Sequence, residues 1–383
     1  MPLLSVVVPA FNERENIGPL IAALSSALDG VDYEVVIVDD DSPDGTGALA
    51  RRLAQESPRI RVIQRIGRRG LASAVVEGAL STSGPYIAVM DADLQHDERI
   101  LPLMLRKLRE ERLDLVVGSR HAADGGVGDL SRDRVRLSSA GRRLFDLISR
   151  TRVSDPMSGF FVVTREFFDE VAHSLSAIGF KVLVDILASA NRPVRLGEIG
   201  YRFRTRSHGE SKLDIVVELE YLELLFDKLT GGWFPPSYFL FGLVGTAGMA
   251  FNFVAAALLL RVWGLDFLWA QTIGALLTVA FNFFLNNAIT FRAARMRGTE
   301  VLTGLLLFYV VCSVALLAQL AVASALQQFG VHWAPATLVG IVSGSVWNYT
   351  IAAQLVWRVT GRHGPRYRHS RAGRPVRESP APR

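Results

Sequence analysis

After Trp233 the sequence contains four long stretches without a charged residue, and they limit what the chain can fold into more than any other feature. The stretches are Tyr238–Leu260, Leu268–Phe291, Val301–Phe329 and Val331–Trp357. Each is long enough to cross a bilayer as a helix, which takes about 20 apolar residues. The sequence therefore predicts an all-α transmembrane domain of four helices over residues 237–358. This domain also explains a hydrophobic content of 50% in 383 residues, which is high for a soluble protein.

The two halves of the predicted membrane domain resemble each other. Gly274, Asn282 and Phe291-Arg292 match Gly340, Asn348 and Trp357-Arg358 at a constant offset of 66 residues. Such a repeat predicts two helix hairpins in the same orientation, related by an axis along the membrane normal. The asparagines within these helices are costly in lipid, so we expect them to face inward. They either join the helices to each other or line a transport path.

The basic residues predict how this domain is oriented. Arg292, Arg295 and Arg297 lie between the second and third stretches, and eight arginines follow Trp357. The other two connections contain one arginine together. Because basic loops stay in the cytoplasm, we expect a multi-pass protein of the cell membrane with both termini and the N-terminal domain cytoplasmic. The net charge of +5 then indicates contact with the membrane, and no nucleic-acid partner is predicted. The tail 359–383, rich in Arg, Pro and Gly, is expected to be disordered.

Residues 1–213 follow a different pattern, in which short apolar runs alternate with helical segments. The predicted strands are 3–9, 33–38, 61–64, 86–90 and 114–118. Strands that alternate with helices of this length predict an α/β domain with a parallel sheet and right-handed crossovers. Residues 214–236 mix apolar and acidic side chains, which is typical of an amphipathic helix at the membrane surface.

Polar clusters follow three of these strands, and the one after the fourth strand is Asp91-Ala92-Asp93-Leu94-Gln95. In a parallel sheet such clusters meet at the carboxyl edge, where ligands bind. Asp91, Asp93 and Gln95 offer oxygen ligands for a hard cation such as Mg²⁺ or Mn²⁺, which usually sits on a diphosphate. Two aspartates after a strand are equally typical of a simple turn. Three clusters at one edge favour a nucleotide-sugar site, and the lack of a Gly-rich phosphate loop argues against ATP and NAD.

Several motifs carry a resemblance to known families. Pro9-x-Phe11-Asn12-Glu13, Val38–Thr46 and Asp91–His96 resemble glycosyltransferase family 2, with its GT-A (Rossmann-like) fold. Asp155–Phe161, Ile178–Lys181 and Arg206–Lys212 are similar to the dolichyl- or polyprenyl-phosphate mannose synthases. The membrane half resembles the small GtrA-like modules. One departure is Phe11, where the family usually carries Tyr; the ring can still stack on a base, but the hydroxyl is lost.

The resemblance implies roles for particular residues. It implies donor contacts at Pro9, Phe11, Glu13, Val38, Asp40, Asp91, Ala92, Asp93, Gln95, Lys181, Arg206 and Lys212. Of these, Asp91, Asp93 and Gln95 would also bind the metal. It further implies acceptor-phosphate contacts at Arg120, Arg136 and Ser139, and catalytic roles for Asp93, Arg120 and Asp155. The arginines could equally bind lipid headgroups without substrate specificity. Residues 202–212 form a basic loop that acts either as a lid over the donor or as a solvated charge run. Lys181 falls inside a predicted helix 180–190, where its charge needs a phosphate partner or a route to solvent.

We therefore expect an enzyme that moves mannose from GDP-mannose to dolichyl or polyprenyl phosphate, with a divalent metal and with inversion. A UDP-glucose-dependent polyprenyl-phosphate glucosyltransferase is the main alternative. A processive polysaccharide synthase is disfavoured because no Gln-x-x-Arg-Trp string is present. A lipid-sugar flippase or scaffold with a degenerate transferase domain is disfavoured by the intact Asp91–Gln95 cluster.

Overall fold

The computed structural model describes residues 1–67, 69–122, 145, 148–204 and 215–357, with the backbone alone for 215–218. Its first part contains one seven-stranded sheet. The strands are β1 (Leu4–Ala10), β2 (Tyr33–Asp39), β3 (Ile60–Gln64), β4 (Tyr86–Val89), β5 (Leu115–Ser119), β6 (Phe161–Thr164) and β7 (Leu196–Gly200). The five predicted strands are confirmed, with ends that differ only slightly from the predicted ones.

The sheet is mixed: the prediction of a parallel sheet holds for the five predicted strands, which run in one direction, but not for β6. Its order is β3-β2-β1-β4-β6-β5-β7, and β6 is antiparallel to both β4 and β5. No strand was predicted here because Phe161–Thr164 is only four residues long and continues a motif. Phe161 pairs with Val89 and with Val117. The reversed direction of β6 therefore brings the residues before it to the edge where β4 and β5 end.

Helices cover both faces of this sheet. They are α1 (Arg14–Ala27), α2 (Thr46–Glu56), α3 (Leu71–Leu80), α4 (Leu101–Glu110), α5 (Arg165–Ala172) and α6 (Val182–Ser189). Because side chains alternate along a strand, Val36 and Val38 of β2 pack in one apolar cluster with α3 and α6. Val35 and Ile37 pack in the other cluster with α1 and α4. With both faces covered, the carboxyl edge is the part of the sheet that is open to ligands.

Helix α7 (Ile215–Thr230) connects the sheet domain to the membrane helices. Its bounds fall within the predicted helix and linker 214–236, and the location of that segment at the membrane surface stays a prediction. Tyr221, Leu224 and Leu225 are buried in the same apolar cluster as α3 and α6. One face of α7 thus belongs to the core of the sheet domain.

Four apolar helices follow α7. They are α8 (Pro236–Arg261), α9 (Phe267–Leu285), α10 (Glu300–Gln328) and α11 (Trp333–Ile351). Within the described residues, three segments are long and apolar enough to cross a membrane: Pro236–Arg261, Phe267–Thr290 and Glu300–Gln328. Three of the four predicted spans thus meet this criterion, and α11 does not.

The internal repeat is visible in the structure. Helices α9 and α11 each continue into a π-helical turn, at Asn286–Thr290 and Ala352–Val356, which are 66 residues apart. The residues that follow these turns, Phe291 and Trp357, stack with ring centroids 4.3 Å apart. The indole Nε1 of Trp357 donates to Asn287 Oδ1 at 3.1 Å. The two hairpins therefore meet at equivalent positions of the repeat.

Candidate active site

The loop after β4 contains the predicted metal ligands. Asp93 is buried, and its Oδ1 accepts a hydrogen bond from the backbone N–H of Gln95 at 3.1 Å. This turn places Leu94 at a φ of 62°, an uncommon conformation for a bulky side chain. Gln95 Nε2 donates to the carbonyl oxygen of Arg204 at 3.1 Å. The loop is thus held by its own turn and by the segment that follows β7.

His96, to which the sequence assigned no role, lies beneath Asp91. Its Nδ1 accepts a hydrogen bond from the Asp91 N–H at 3.3 Å, and its Nε2 is 3.8 Å from Asp91 Oδ2. The imidazole stacks on Phe160 with centroids 5.0 Å apart. Burial lowers the pKa of His96 from 6.5 to about 4, so the ring is neutral at neutral pH. Since Nδ1 is an acceptor, the proton is on Nε2 and faces the Asp91 carboxylate.

Arg204 fastens the segment after β7 to the loop after β4. Its Nη1 donates to Glu98 Oε2 at 2.7 Å and its Nη2 to Asp97 Oδ1 at 2.8 Å. Its N–H donates to the carbonyl oxygen of Gln95 at 3.0 Å. In the sequence Arg204 belongs to the basic loop 202–212, and neither role predicted for that loop includes this contact. The signal that could have found it is the pair of acids directly after the metal motif.

Arg120 and Asp155 form a two-pronged ion pair at the same edge. Arg120 Nε donates to Asp155 Oδ2 at 2.7 Å and Nη2 donates to Oδ1 at 2.9 Å. Only 2% of Asp155 is exposed. Burial by itself would raise the pKa of Asp155, but the hydrogen bonds and charge of Arg120 lower it below its usual value. Asp155 is therefore ionised and orients Arg120, and it is poorly suited to accept a proton.

Gly159 joins this pair to the metal motif. A Cβ added at Gly159 would lie 2.8 Å from Asp91 Oδ2, closer than real Cβ atoms approach an oxygen. The preceding residue, Ser158, donates its hydroxyl proton to the Gly118 carbonyl oxygen at 2.7 Å, which fixes the segment to β5. The turn before β6 therefore lies directly against the Asp91 carboxylate, with Asp155 at its start.

Asp40, a predicted donor contact, already has partners inside the protein. Its Oδ2 accepts the N–H of Gly70 at 2.7 Å, and its Oδ1 is 2.9 Å from Arg65 Nη1. Arg65 is itself 2% exposed and donates to Ser73 Oγ at 2.6 Å. Burial raises the pKa of Asp40, although the Gly70 hydrogen bond and the Arg65 charge oppose the rise. The carboxylate ties β2 to the first turn of α3, a role that sequence analysis did not foresee.

The remaining predicted base contacts differ in exposure. Pro9 and Val38 are buried within β1 and β2, where they are register partners. Phe11 is half-buried after β1, and the guanidinium of Arg69 lies 4.4 Å from the centre of its ring. Glu13 is half-buried at the N-terminus of α1. Of these four predicted contacts, Phe11 and Glu13 are the ones with exposed surface.

Lys181 directly precedes α6, so the prediction that it lies inside a helix was wrong. Helix α6 runs over Val182–Ser189, and Gly179 before it has a φ of +70°, which a helix cannot continue through. Lys181 is half-buried. The free-energy cost of burying its charge, which suggested a phosphate partner, is therefore smaller than for a lysine inside the helix. The Gly179 carbonyl oxygen accepts the N–H of Ala72 at 3.1 Å. The loop with Lys181 therefore reaches the first turn of α3, beside Asp40.

Five predicted residues remain. Ala92 is buried in the loop after β4. The other four, Arg136, Ser139, Arg206 and Lys212, lie outside the described residues.

Comparison with known proteins agrees with this architecture. The sequence matches the family Glycosyl transferase family 2 over residues 5–172 and the GtrA/DPMS transmembrane domain over residues 240–357. It is 33% identical over 357 residues to a dolichol-phosphate mannosyltransferase of Pyrococcus furiosus, which covers 92% of this chain and 99% of that protein. This chain belongs to the dolichol-phosphate mannosyltransferases of glycosyltransferase family 2. It is therefore a glycosyltransferase and a multi-pass membrane protein.

Other relatives match a smaller share of this chain. Dolichol-phosphate mannosyltransferases of Mycosarcoma maydis and Saccharomyces cerevisiae are 38% and 35% identical, covering 59% and 58% of this chain and 79% and 85% of those proteins. Among solved structures, glucosyl-3-phosphoglycerate synthase from Mycobacterium tuberculosis is 22% identical with a TM-score of 0.44, covering 59% of this chain and 80% of that chain.

In this mannosyltransferase the loop after β4 suits a divalent cation. Because Gln95 Nε2 is bonded to the Arg204 carbonyl oxygen, the amide atom available to a cation is the oxygen Oε1. Like the carboxylates of Asp91 and Asp93, it is a hard oxygen atom of the kind that Mg²⁺ and Mn²⁺ prefer. The part of the chain that the structure describes holds no metal-binding group of three or more His, Cys, Asp or Glu. A cation here would therefore take the rest of its ligands from water and from the donor's phosphates.

Proposed function

We propose that this enzyme transfers mannose from GDP-mannose to dolichyl or another polyprenyl phosphate, with Mg²⁺ or Mn²⁺ and with inversion. The observation that carries the proposal is the approach of Gly159 to Asp91. This contact brings Asp91, one of the predicted metal ligands, against the segment that begins with Asp155, which supports a site where a donor diphosphate and an acceptor phosphate would meet. The choice of mannose and of a lipid phosphate is supported by the relatives, which are dolichol-phosphate mannosyltransferases.

On the donor side, Asp91, Asp93 and Gln95 would hold the cation. A bound cation supplies positive charge where negative charge develops on the departing diphosphate. We assign Phe11 to stacking on the base and Glu13 to its edge. Lys181 would neutralise donor phosphate charge, together with Arg206 and Lys212.

On the acceptor side, no residue needs to remove a proton. A phosphate monoester has its second pKa near 6, so an oxyanion nucleophile is present at neutral pH, unlike a sugar hydroxyl, which needs a general base. Asp155 fits this scheme because its pKa is lowered and both its oxygens bind Arg120. Arg120 Nη1 takes no part in those bonds, and with Arg136 and Ser139 we assign it to the acceptor phosphate. A single displacement on the far side of the sugar then inverts the anomeric carbon.

We further propose that the sheet domain and the basic loop 292–297 face the cytoplasm. Support comes from the contact of Arg292 with α7, which places this loop and the sheet domain at the same end of the membrane helices. The proposed divisions are a catalytic domain 1–213, an interfacial helix and linker 214–236, a membrane domain 237–358 and a basic tail 359–383.

The test is the lipid product that the purified protein forms in membranes that contain polyprenyl phosphate. GDP-mannose and UDP-glucose are supplied separately, with and without Mn²⁺, and the lipid is identified by mass spectrometry. We expect polyprenyl-phosphate mannose from GDP-mannose with metal, and a β linkage by NMR. Product from UDP-glucose alone contradicts the sugar assignment. An α linkage or a trapped glycosyl-enzyme contradicts the mechanism.

A further inference from the structure

We propose that Arg292 of the membrane domain is a positioning residue for the loop 176–181, which carries Lys181. The coupling runs through α7, so the membrane domain helps to shape the donor side of the site in addition to anchoring it. The proposal rests on the proposed function only in taking Lys181 as a donor contact.

The first contact joins the membrane domain to α7. Arg292 Nη2 lies 2.9 Å from Glu220 Oε1 and 3.3 Å from Glu223 Oε2. Arg292 Nη1 donates to the carbonyl oxygen of Ile289, at 3.3 Å, in the π-helical turn. Glu223 is only 5% exposed, and its burial raises its pKa in spite of the arginine. Because a buried carboxylate is costly without a cationic partner, the position of α7 depends on Arg292.

The second contact joins α7 to the loop. A Cβ added at Gly179 would lie 3.0 Å from Glu220 Cβ and 3.3 Å from Glu220 Oε2. The residue that accepts the Arg292 hydrogen bond therefore rests directly on Gly179. Since Gly179 has a φ of +70°, another residue would be strained there even with space available.

The C-terminal turn of α7 holds the start of the same loop. Lys228 Nζ lies 2.6 Å from Asp185 Oδ1. The Asp185 carboxylate accepts the N–H groups of Ser176 at 3.1 Å and Ala177 at 2.8 Å, and Asp227 accepts the hydroxyl proton of Ser176. The loop is thus fastened to α7 at two places.

The loop in turn contacts the donor side. The Gly179 carbonyl oxygen accepts the N–H of Ala72 at 3.1 Å, and Gly70 nearby donates to Asp40 at 2.7 Å. A shift of α7 is therefore transmitted to the first turn of α3 and to Lys181. The sequence contains each of these residues, but none of its local patterns links Arg292 to Gly179.

The test compares Arg292→Gln with Arg295→Gln in the full-length protein in lipid nanodiscs. Arg295 is an exposed arginine of the same loop, so its loss removes the same charge from the same place. We expect faster amide hydrogen exchange in residues 176–181 and at Ala72 in Arg292→Gln. The KM for GDP-mannose should rise roughly 2- to 30-fold, with less change in kcat. Arg295→Gln should match the wild type. Unchanged exchange in Arg292→Gln, or an equal effect of Arg295→Gln, overturns the proposal.

A second set of variants covers the case in which Arg292→Gln does not fold. Arg292→Lys keeps the charge and is expected to restore most of the exchange protection. Glu220→Gln removes the partner instead and should by itself raise exchange in residues 176–181. Where Arg292→Gln folds, the double variant should be no worse than Arg292→Gln alone, because the two act through one contact. Additive effects overturn the coupling. Hydrogen exchange can be measured without turnover. If exchange rises in Arg292→Gln but the wild type does not use GDP-mannose, the proposed function has failed and the coupling has not.

Discussion

At the scale of single residues, the site is organised around the carboxylate of Asp91. The neutral imidazole of His96 lies beneath it, and Gly159 leaves no room for a side chain beside it. The Arg120–Asp155 pair lies at the start of the segment that contains Gly159. Groups that are far apart in sequence thus restrict one carboxylate, which is how a rigid site positions a reactive ligand.

Asp93→Ala should abolish transfer while the fold is retained, because a cation that neutralises the departing diphosphate would lose a buried ligand. Turnover with Mg²⁺ or Mn²⁺ and thermal melting are the measurements. Asp169→Ala, which removes a largely exposed acid on α5, is the control and should behave as the wild type. Turnover of Asp93→Ala near the wild-type rate would disprove the ligand role.

Gly159→Ala should raise the metal concentration needed for half-maximal activity. The added methyl group would lie 2.8 Å from Asp91 Oδ2, so the carboxylate must move. Metal titration of turnover measures the change. Gly18→Ala in α1 is the matched control, since a Cβ there meets nothing within 4 Å. Equal metal dependence in both variants would show that Asp91 tolerates the shift.

His96 should make the protein sensitive to acid. Its folded pKa of about 4 lies below its usual 6.5, so the unfolded chain binds more protons between these values. The stability that His96 contributes is complete above pH 6.5 and is lost as pH falls towards 4, up to about 3 kcal/mol. His96→Gln, which keeps a hydrogen-bond acceptor, should make the melting temperature depend less on pH between these values. The exposed His173, replaced by Gln, should leave the curve unchanged, and an unaltered curve for His96→Gln would refute the assignment.

At the scale of elements, the two π-helical turns end the paired helices α9 and α11 and bring Phe291 and Trp357 face to face. An extra residue in a helical turn rotates everything that follows. The two hairpins therefore share more than apolar composition, because each has a π-helical turn at the same position of the repeat. The stacked pair lies in the apolar cluster of the membrane domain.

Trp357→Ala should destabilise the membrane domain by about 3 kcal/mol, the usual cost of removing a large buried aromatic side chain. It deletes the stack on Phe291 and the hydrogen bond to Asn287. Thermal melting in detergent is the measurement. Trp333→Ala, at a residue that is 63% exposed, is the control. Equal losses in the two variants would mean that the stack adds nothing.

At the scale of the whole molecule, α7 belongs to both halves. Its apolar residues complete the core of the sheet domain, and its acids bind the loop after the second membrane helix. Helix α7 therefore connects the sheet domain to the membrane helices by direct packing and ion pairs as well as by the chain itself.

The orientation can be read from two cysteine variants made in a Cys312→Ala background, which removes the single natural thiol. Arg295→Cys lies in the basic loop and Val262→Cys in the loop between α8 and α9, and both positions are exposed. In intact cells a membrane-impermeant maleimide should label position 262 only. Position 295 should react after permeabilisation. The reverse pattern would place the catalytic domain outside the cytoplasm.

Local patterns in the sequence were sufficient for the parts of this protein that depend on neighbouring residues. Five strands, the apolar helices, the repeat and the oxygen-rich loop after β4 all follow from runs of apolar residues and from what comes next to them. The family resemblance then pointed to Arg120 and Asp155. These features could be predicted because the apolar content of a segment and the spacing of its apolar residues do not depend on where the segment lies in the fold.

Only the tertiary structure decided the direction of β6, and with it the meeting of Gly159 with Asp91. A four-residue apolar strand looks the same in either direction, so its pairing is set by distant partners. The same reason hid the Arg65–Asp40 pair, the role of His96 and the contact of Arg292 with α7. Burial by elements far apart in the chain lowers the pKa of His96, and the hydrogen bonds and charge of Arg120 lower the pKa of Asp155. The sequence by itself therefore determined the elements and the kind of ligands, while packing between distant segments decided which groups act together.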